Sequence, residues 1–170
     1  MKKFLQQTCH VWLFAILITL VGCKKDELSL YGESFELNNP ELTAALKAKG
    51  FSFEGNAIVI DDKLWNLTSL DLSGAGLKSV AGITIFKNLQ QVNLSNNALG
   101  KVFDFSLLPE DIQQVNLSGN PIYEFKNLRP LQKLILPITA QYDMESLPAY
   151  AKAAKADIQI ASKDGSLKKY

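Results

Sequence analysis

The residue types that carry most enzymatic chemistry are scarce in this chain of 170 residues, and those present are badly placed for it. One histidine (His10) and two cysteines (Cys9 and Cys23) are the whole stock of imidazole and thiol, and all three lie in the first 23 residues. The rest of the chain has no material for a nucleophile–base pair or a His/Cys metal site. Carboxylate pairs occur at Asp61-Asp62 and Glu110-Asp111, and acid–base chemistry could use such groups if their surroundings drove their pKa values apart. Both pairs stand in polar stretches beside turns, where a solvated surface pair is the simpler reading. No EF-hand, P-loop or Rossmann glycine pattern is present, so no cofactor is expected. What remains is a set of polar side chains at fixed intervals: Ser69, Asp71 and Ser73; Gln91, Asn93 and Ser95; Gln114, Asn116 and Ser118; then Lys133 and Ile135. Amides and hydroxyls both donate and accept hydrogen bonds. Such a set suits recognition better than bond breaking.

Those intervals come from a repeat. LTSLDLSGAGL from Leu67, LQQVNLSNNAL from Leu89 and IQQVNLSGNPI from Ile112 share one pattern, and a fading copy, LQKLILP, begins at Leu131. The equivalent residues Leu70, Val92, Val115 and Leu134 are 22, 23 and 19 positions apart. Self-similarity at about 20–29 residues marks leucine-rich repeats, in which each copy adds a short strand to a stacked solenoid. Leu70 and Leu72, Val92 and Leu94, and Val115 and Leu117 then point inward at the strand period of two. The polar set named above points outward, onto the concave face of a parallel sheet. Asn97 and Asn120 hold the asparagine position of the pattern, where a buried amide would bond the backbone of the adjacent coil; Ala75 replaces it in the first copy. Between strands, apolar residues recur about every third position: Leu77, Val80, Ile83, Phe86 and Leu89, then Val102, Phe105 and Leu108, then Ile122, Phe125, Leu128 and Leu131. That rhythm predicts 3₁₀ turns or a short helix on the convex side, with the pairs Phe103 and Phe105, and Tyr123 and Phe125, expected to fill its core; a convex platform for sugars is the alternative. Three N-x-S/T sequons, at Asn66, Asn93 and Asn116, belong to the repeat grammar. The spacing and the stretch LKSVAGITIFKNLQQVNLSNNAL resemble the short repeats of internalin-like bacterial surface proteins over about residues 67–137.

The flanks read as closures for this array. Asn39 is a good N-cap, Pro40 suits the first helical position, and Leu42, Ala45 and Leu46 give one apolar face before Gly50 stops the helix. Phe51, Phe53, Ile58 and Ile60 alternate as in one or two strands. Residues 39–66 are thus expected to be an N-terminal cap covering sticky open core. At the other end, Ser146 could cap a helix over Leu147–Ala156. Ile158 and Ile160 alternate like a strand, and Asp164-Gly165 marks a turn, so 138–170 is expected to be a second cap followed by a tail that is disordered after about Ser162.

The first 22 residues read as an address. Lys2 and Lys3 precede an 11-residue apolar run, Val11–Val21, which is long enough for a signal-peptide core and short for a membrane span. Leu20-Val21-Gly22-Cys23 resembles the lipobox of bacterial lipoproteins, which implies cleavage before Cys23 and acylation of its sulfur. The alternative is an uncleaved anchor. More than one acyl chain would hold the chain on a bilayer, since each buried methylene contributes about 0.8 kcal/mol. Residues 23–38 would then be a flexible tether. Its charged opening, Lys24-Lys25-Asp26-Glu27, resembles the surface-export tag of some Gram-negative lipoproteins and points to the outer membrane; it also serves as a plain solvated spacer. Removing Lys2 and Lys3 from 18 basic residues leaves them one short of the 17 acidic ones. With Arg129 the single arginine and no basic cluster, no nucleic-acid partner is expected.

Taken together, the chain is expected to be α/β: a short leucine-rich-repeat solenoid between a helical N-terminal cap and an α/β C-terminal cap. The resemblances imply a non-enzymatic, lipid-anchored module for protein–protein interaction at the cell envelope. A carbohydrate-binding accessory lipoprotein is the second reading and a purely structural envelope component the third; for the polar rows themselves, exposed strands that are polar because they face water are the plainest account.

Overall fold

The computed structural model describes residues 30–137, 157–161 and 167–169. The expected leader (1–22), the Cys23 lipidation site, the first part of the tether, the helix over 147–156 and the turn at Asp164-Gly165 lie outside the described residues. The chain divides into a unit of residues 1–33, of which only a turn closed by Glu33 N–H on the Leu30 carbonyl (3.1 Å) is described, and a unit of residues 34–170. Everything below belongs to the second unit.

That unit is mixed α/β, built on a parallel-strand solenoid of about three turns with few helices. Strands β4 (Ser69–Asp71), β5 (Gln91–Asn93), β7 (Gln114–Asn116) and β9 (Lys133–Pro137) stack side by side. Their register follows the repeat: Leu70 opposes Val92, Val92 opposes Val115, and Val115 opposes Leu134. These four are buried in one column with Leu72, Leu94, Leu117 and Leu136 beside them. A one-residue slip anywhere would turn the whole apolar set toward water, so the alternation fixes the register.

Buried asparagines tie coil to coil. Asn97 Nδ2 donates to the carbonyls of Leu72 and Leu94 (both 2.9 Å) and its Oδ1 accepts from Leu77 N–H (3.0 Å). Asn120 repeats this one coil later, with Nδ2 on the Leu94 and Leu117 carbonyls (2.8 and 3.0 Å) and Oδ1 accepting from Leu99 N–H (3.3 Å). Each amide thus satisfies backbone groups of its own coil and of the one before. Ala75 belongs to the first coil, which has no earlier coil to bridge.

The convex side departs from the expected three-residue rhythm. In the first coil Leu77, Val80, Ile83, Phe86 and Leu89 are all buried, around a 3₁₀ turn at Ile83–Ile85. In the next two coils a parallel strand pair forms instead, β6 (Val102–Asp104) with β8 (Glu124–Lys126). Its period of two puts Phe103 inside and leaves Val102 45% exposed. Phe103, Phe105 and Phe125 pack edge-on or tilted at 5.1 and 5.9 Å between centroids, while Leu128 and Tyr123 stay exposed. A second 3₁₀ turn, Phe105–Leu107, follows β6.

Ahead of the solenoid, helix α1 (Pro40–Ala48) starts where Asn39 Oδ1 accepts from Leu42 N–H (3.1 Å). The same side chain's Nδ2 reaches the carbonyls of Ser79 (2.9 Å) and Ala81 (3.1 Å) in the first coil. One residue both begins the helix and fastens it to the array. Strands β2 (Phe53–Glu54) and β3 (Ala57–Val59) form a three-stranded antiparallel sheet with β1 (Ser34–Glu36), in the order β1-β3-β2. β1 lies within the stretch expected to be tether. A short helix α2 (Asp62–Trp65) leads into β4.

Beyond β9, β10 (Asp157–Ala161) adds a fifth parallel strand, with Ile158 opposite Leu134 and both buried. β11 (Leu167–Lys169) then pairs antiparallel with β10, so the expected disordered tail contains a strand.

Candidate functional site

The outward residues of the six-stranded sheet form ordered rows. Ser69, Gln91, Gln114 and Lys133 occupy one row, in direct strand register, and Asp71, Asn93, Asn116 and Ile135 the next. Together they line a shallow depression of about 280 Å³, which makes this face concave. The sequence-expected residues of these two rows are therefore brought together.

The third row is different. Asp71 Oδ1 accepts from Ser73 N–H (2.9 Å), Asn93 Oδ1 from Ser95 N–H (3.1 Å), and Asn116 Oδ1 from Ser118 N–H (3.0 Å) and hydroxyl (2.8 Å). Each is an Asx turn, the local bond by which Asp and Asn bend a chain out of extended conformation. Ser73, Ser95 and Ser118 thus lie past the strand ends, in the bends. Ser95 is only 7% exposed, so it presents little to a partner. The next position takes the left-handed conformation in the first three coils: Gly74 (φ 63°), Asn96 (φ 56°) and Gly119 (φ 71°). Glycine does this without cost and asparagine is among the few other residues that tolerate it.

The two rows that do face outward divide by availability. One oxygen of each Asx side chain is committed to its turn, which leaves Asp71 a second carboxylate oxygen. Among the described residues, the side chains of Gln91 and Gln114 make no hydrogen bond. Their amides are the open donors and acceptors of the depression, with Gln91 exposed and Gln114 half-buried. At one end the Ser73 N–H and hydroxyl hold the Asp71 carboxyl below its usual range, with smaller help from the Lys49 charge and the Asn93 amide. At the other end stands the half-buried ammonium-bearing Lys133.

Strand β10 extends the rows beyond what the repeat pattern indicates: Asp157 joins the row of Lys133, and Gln159 that of Ile135. Asp157 is already engaged, by Lys169 Nζ at 3.0 Å and Gln159 Nε2 at 2.7 Å. Lys169 lowers its pKa most, and Lys133 contributes at longer range. The alternation of Ile158 and Ile160 was the available signal for these two residues.

The carboxylate pairs have other employment. Asp61 N-caps α2, accepting from Leu64 N–H (2.9 Å) and from the Ser52 hydroxyl (2.6 Å). Glu110 and Asp111 are exposed at a turn. Among the described residues no three His, Cys, Asp or Glu side chains converge, and no helix is long and apolar enough to cross a membrane. No protein-family model matches the chain, and no curated protein matches it in sequence.

Proposed function

We propose that this chain is a leucine-rich-repeat lipoprotein whose concave sheet binds a protein partner at the bacterial cell envelope, with the helix α1 and its three-stranded sheet capping one end of the array and β10 and β11 belonging to the cap at the other. The observation that carries the reading is the pair of amides on Gln91 and Gln114: they stand in register on adjacent strands, line a depression, and make no hydrogen bond among the described residues. The buried amides of Asn97 and Asn120 are spent on backbone groups, whereas these two exchange hydrogen bonds with water and can exchange them with a partner instead. A buried patch of about 800 Å² per partner is typical of stable complexes, so most of this small face would take part. Acyl chains on Cys23 would hold the module on its membrane while residues 24–33 give it reach.

Proximity labelling from the full-length chain in its own cells tests this. A defined set of protein neighbours is expected, and the same set should be lost when Gln91 and Gln114 are both changed to Ala. Sugar binding on a glycan array, abolished by Asn93→Ala with Asn116→Ala, would replace the protein partner with a glycan. For the anchor, Cys23→Ser should abolish incorporation of labelled palmitate; undiminished labelling would remove the lipoprotein part of the reading.

A further inference from the structure

Resting on that reading of the concave face, we infer that its partner is an extended peptide segment carrying a basic and an acidic side chain four or six positions apart, the base over Asp71 and the acid over Lys133.

The two rows break their own pattern. In the middle coils the rows are amides: Gln91 and Gln114 in one, Asn93 and Asn116 in the other. Across β4, β5, β7 and β9 charge enters only on the outer two strands, as Asp71 on β4 and Lys133 on β9; beyond β9 the face continues with Asp157 and Lys169, which pair with each other. Neither Asp71 nor Lys133 is matched within the protein by an ion pair among the described residues. Asp71 is held by neutral donors, the Ser73 N–H above all, and Lys49 acts on it only at longer range. The carboxylate nearest Lys133 in register, Asp157, is taken up by Lys169 and Gln159. Across those four strands the face therefore carries a negative end, a neutral hydrogen-bonding middle and a positive end.

The spacing sets the ligand. β4 and β9 are three strand steps apart in the order β9-β7-β5-β4, which is about 14 Å at ~4.8 Å per step, and the two-residue offset along the strands stretches the diagonal to about 16 Å. An extended peptide advances ~3.3 Å per residue, so the span is about five residues; because successive side chains alternate sides, the two charged ones reach the face together at a spacing of four or six. Between the charged ends, the Gln91 and Gln114 amides can bond the peptide's own backbone, which every sequence offers. The end charges would then choose among sequences.

A random peptide library panned on the full-length chain reads this directly. The expected enrichment is a Lys or Arg and an Asp or Glu four or six positions apart, in either order, because the chain direction is not fixed by two charges. Asp71→Asn should erase the preference for the base and Lys133→Gln the preference for the acid, each weakening the best peptide by about two- to fivefold, as for exposed ion pairs. Both variants install the residue type that the neighbouring coil already has in that row, and Asn keeps the oxygen that accepts from Ser73, so folding is preserved. Peptides that bind through Gln91 and Gln114 with no such charge pattern would overturn the inference and leave the peptide-binding face standing. Enrichment unchanged by either variant would do the same. A library yielding no peptide above background would remove both the inference and the protein-partner reading.

Discussion

Asn97 and Gln91 carry the same carboxamide six residues apart in one coil, and the coil treats them in opposite ways. Asn97 is buried, and its amide serves backbone groups of two coils. Gln91 is exposed, and its amide serves none. Asn120 and Gln114 repeat the contrast one coil on. The difference teaches that position in the repeat, rather than residue chemistry, decides whether an amide holds the fold or remains open. The interior positions should be thermodynamically expensive to change and the face positions cheap, and substitutions can test that gradient from its steep end to its shallow one.

The largest effect is expected at Asn97. Asn97→Ala orphans the Leu77 N–H and deprives the Leu72 and Leu94 carbonyls. At about 1–3 kcal/mol for an unsatisfied buried group, a loss of about 3 kcal/mol is expected in urea unfolding. A loss below about 1 kcal/mol would erase the contrast. Next comes Gly119→Ala. Its φ of 71° is left-handed, and a Cβ there would meet Asn96 Oδ1 at 2.2 Å. About 1–2 kcal/mol should be lost from the backbone conformation, and adding Asn96→Gly should recover whatever part arises from the clash. Asp61→Ala, which removes the α2 N-cap, should cost about 1 kcal/mol. Smallest of all, Gln91→Ala with Gln114→Ala should shift stability by no more than about 0.5 kcal/mol, with thermal unfolding as the check.

Acid sharpens the same comparison, because the Asx oxygens of the face row are structural. The Ser73 N–H holds Asp71, and Asn127 and Ser106 hold Asp104, below the ordinary carboxylate pKa. In both, the folded state binds its proton less readily than the unfolded chain. Their stabilisation is therefore complete above the unfolded value of about 3.9 and is lost as pH falls through the lower folded values. Urea midpoints should be flat near neutrality and fall below about pH 4. Asp71→Asn, which cannot titrate, should flatten part of that fall.

The solenoid was legible in the sequence because a period of two inside a period of about 22 leaves few ways to bury Leu70, Val92, Val115 and Leu134 together. Helix α1 was legible through Asn39, Pro40 and the Leu42/Leu46 face. β6 and β8 were not, since three residues such as Val102–Asp104 carry too little pattern and pair only because stacking brings them together. β1 has no buried side chain to announce it. On the site, the rows were readable from register, whereas the Asx turns were missed. The signal was present, as Asp71-x-Ser73, Asn93-x-Ser95 and Asn116-x-Ser118, and it was read as a third outward column because alternation was extended beyond the strand ends. That Asp157 and Gln159 join the face depends on where a distant strand lands in the sheet, which local pattern does not encode.

The crowding at Gly119 also bears on how such an array can lengthen. Asn96 already occupies the space a side chain would need at the same place in the following coil. A gene duplication that set the Asn96 coil directly behind a copy of itself would force one of the two asparagines to swing aside, whereas the Gly119 coil could be copied in tandem without that conflict. An array lengthened by tandem copying of this coil should carry glycine at this one site.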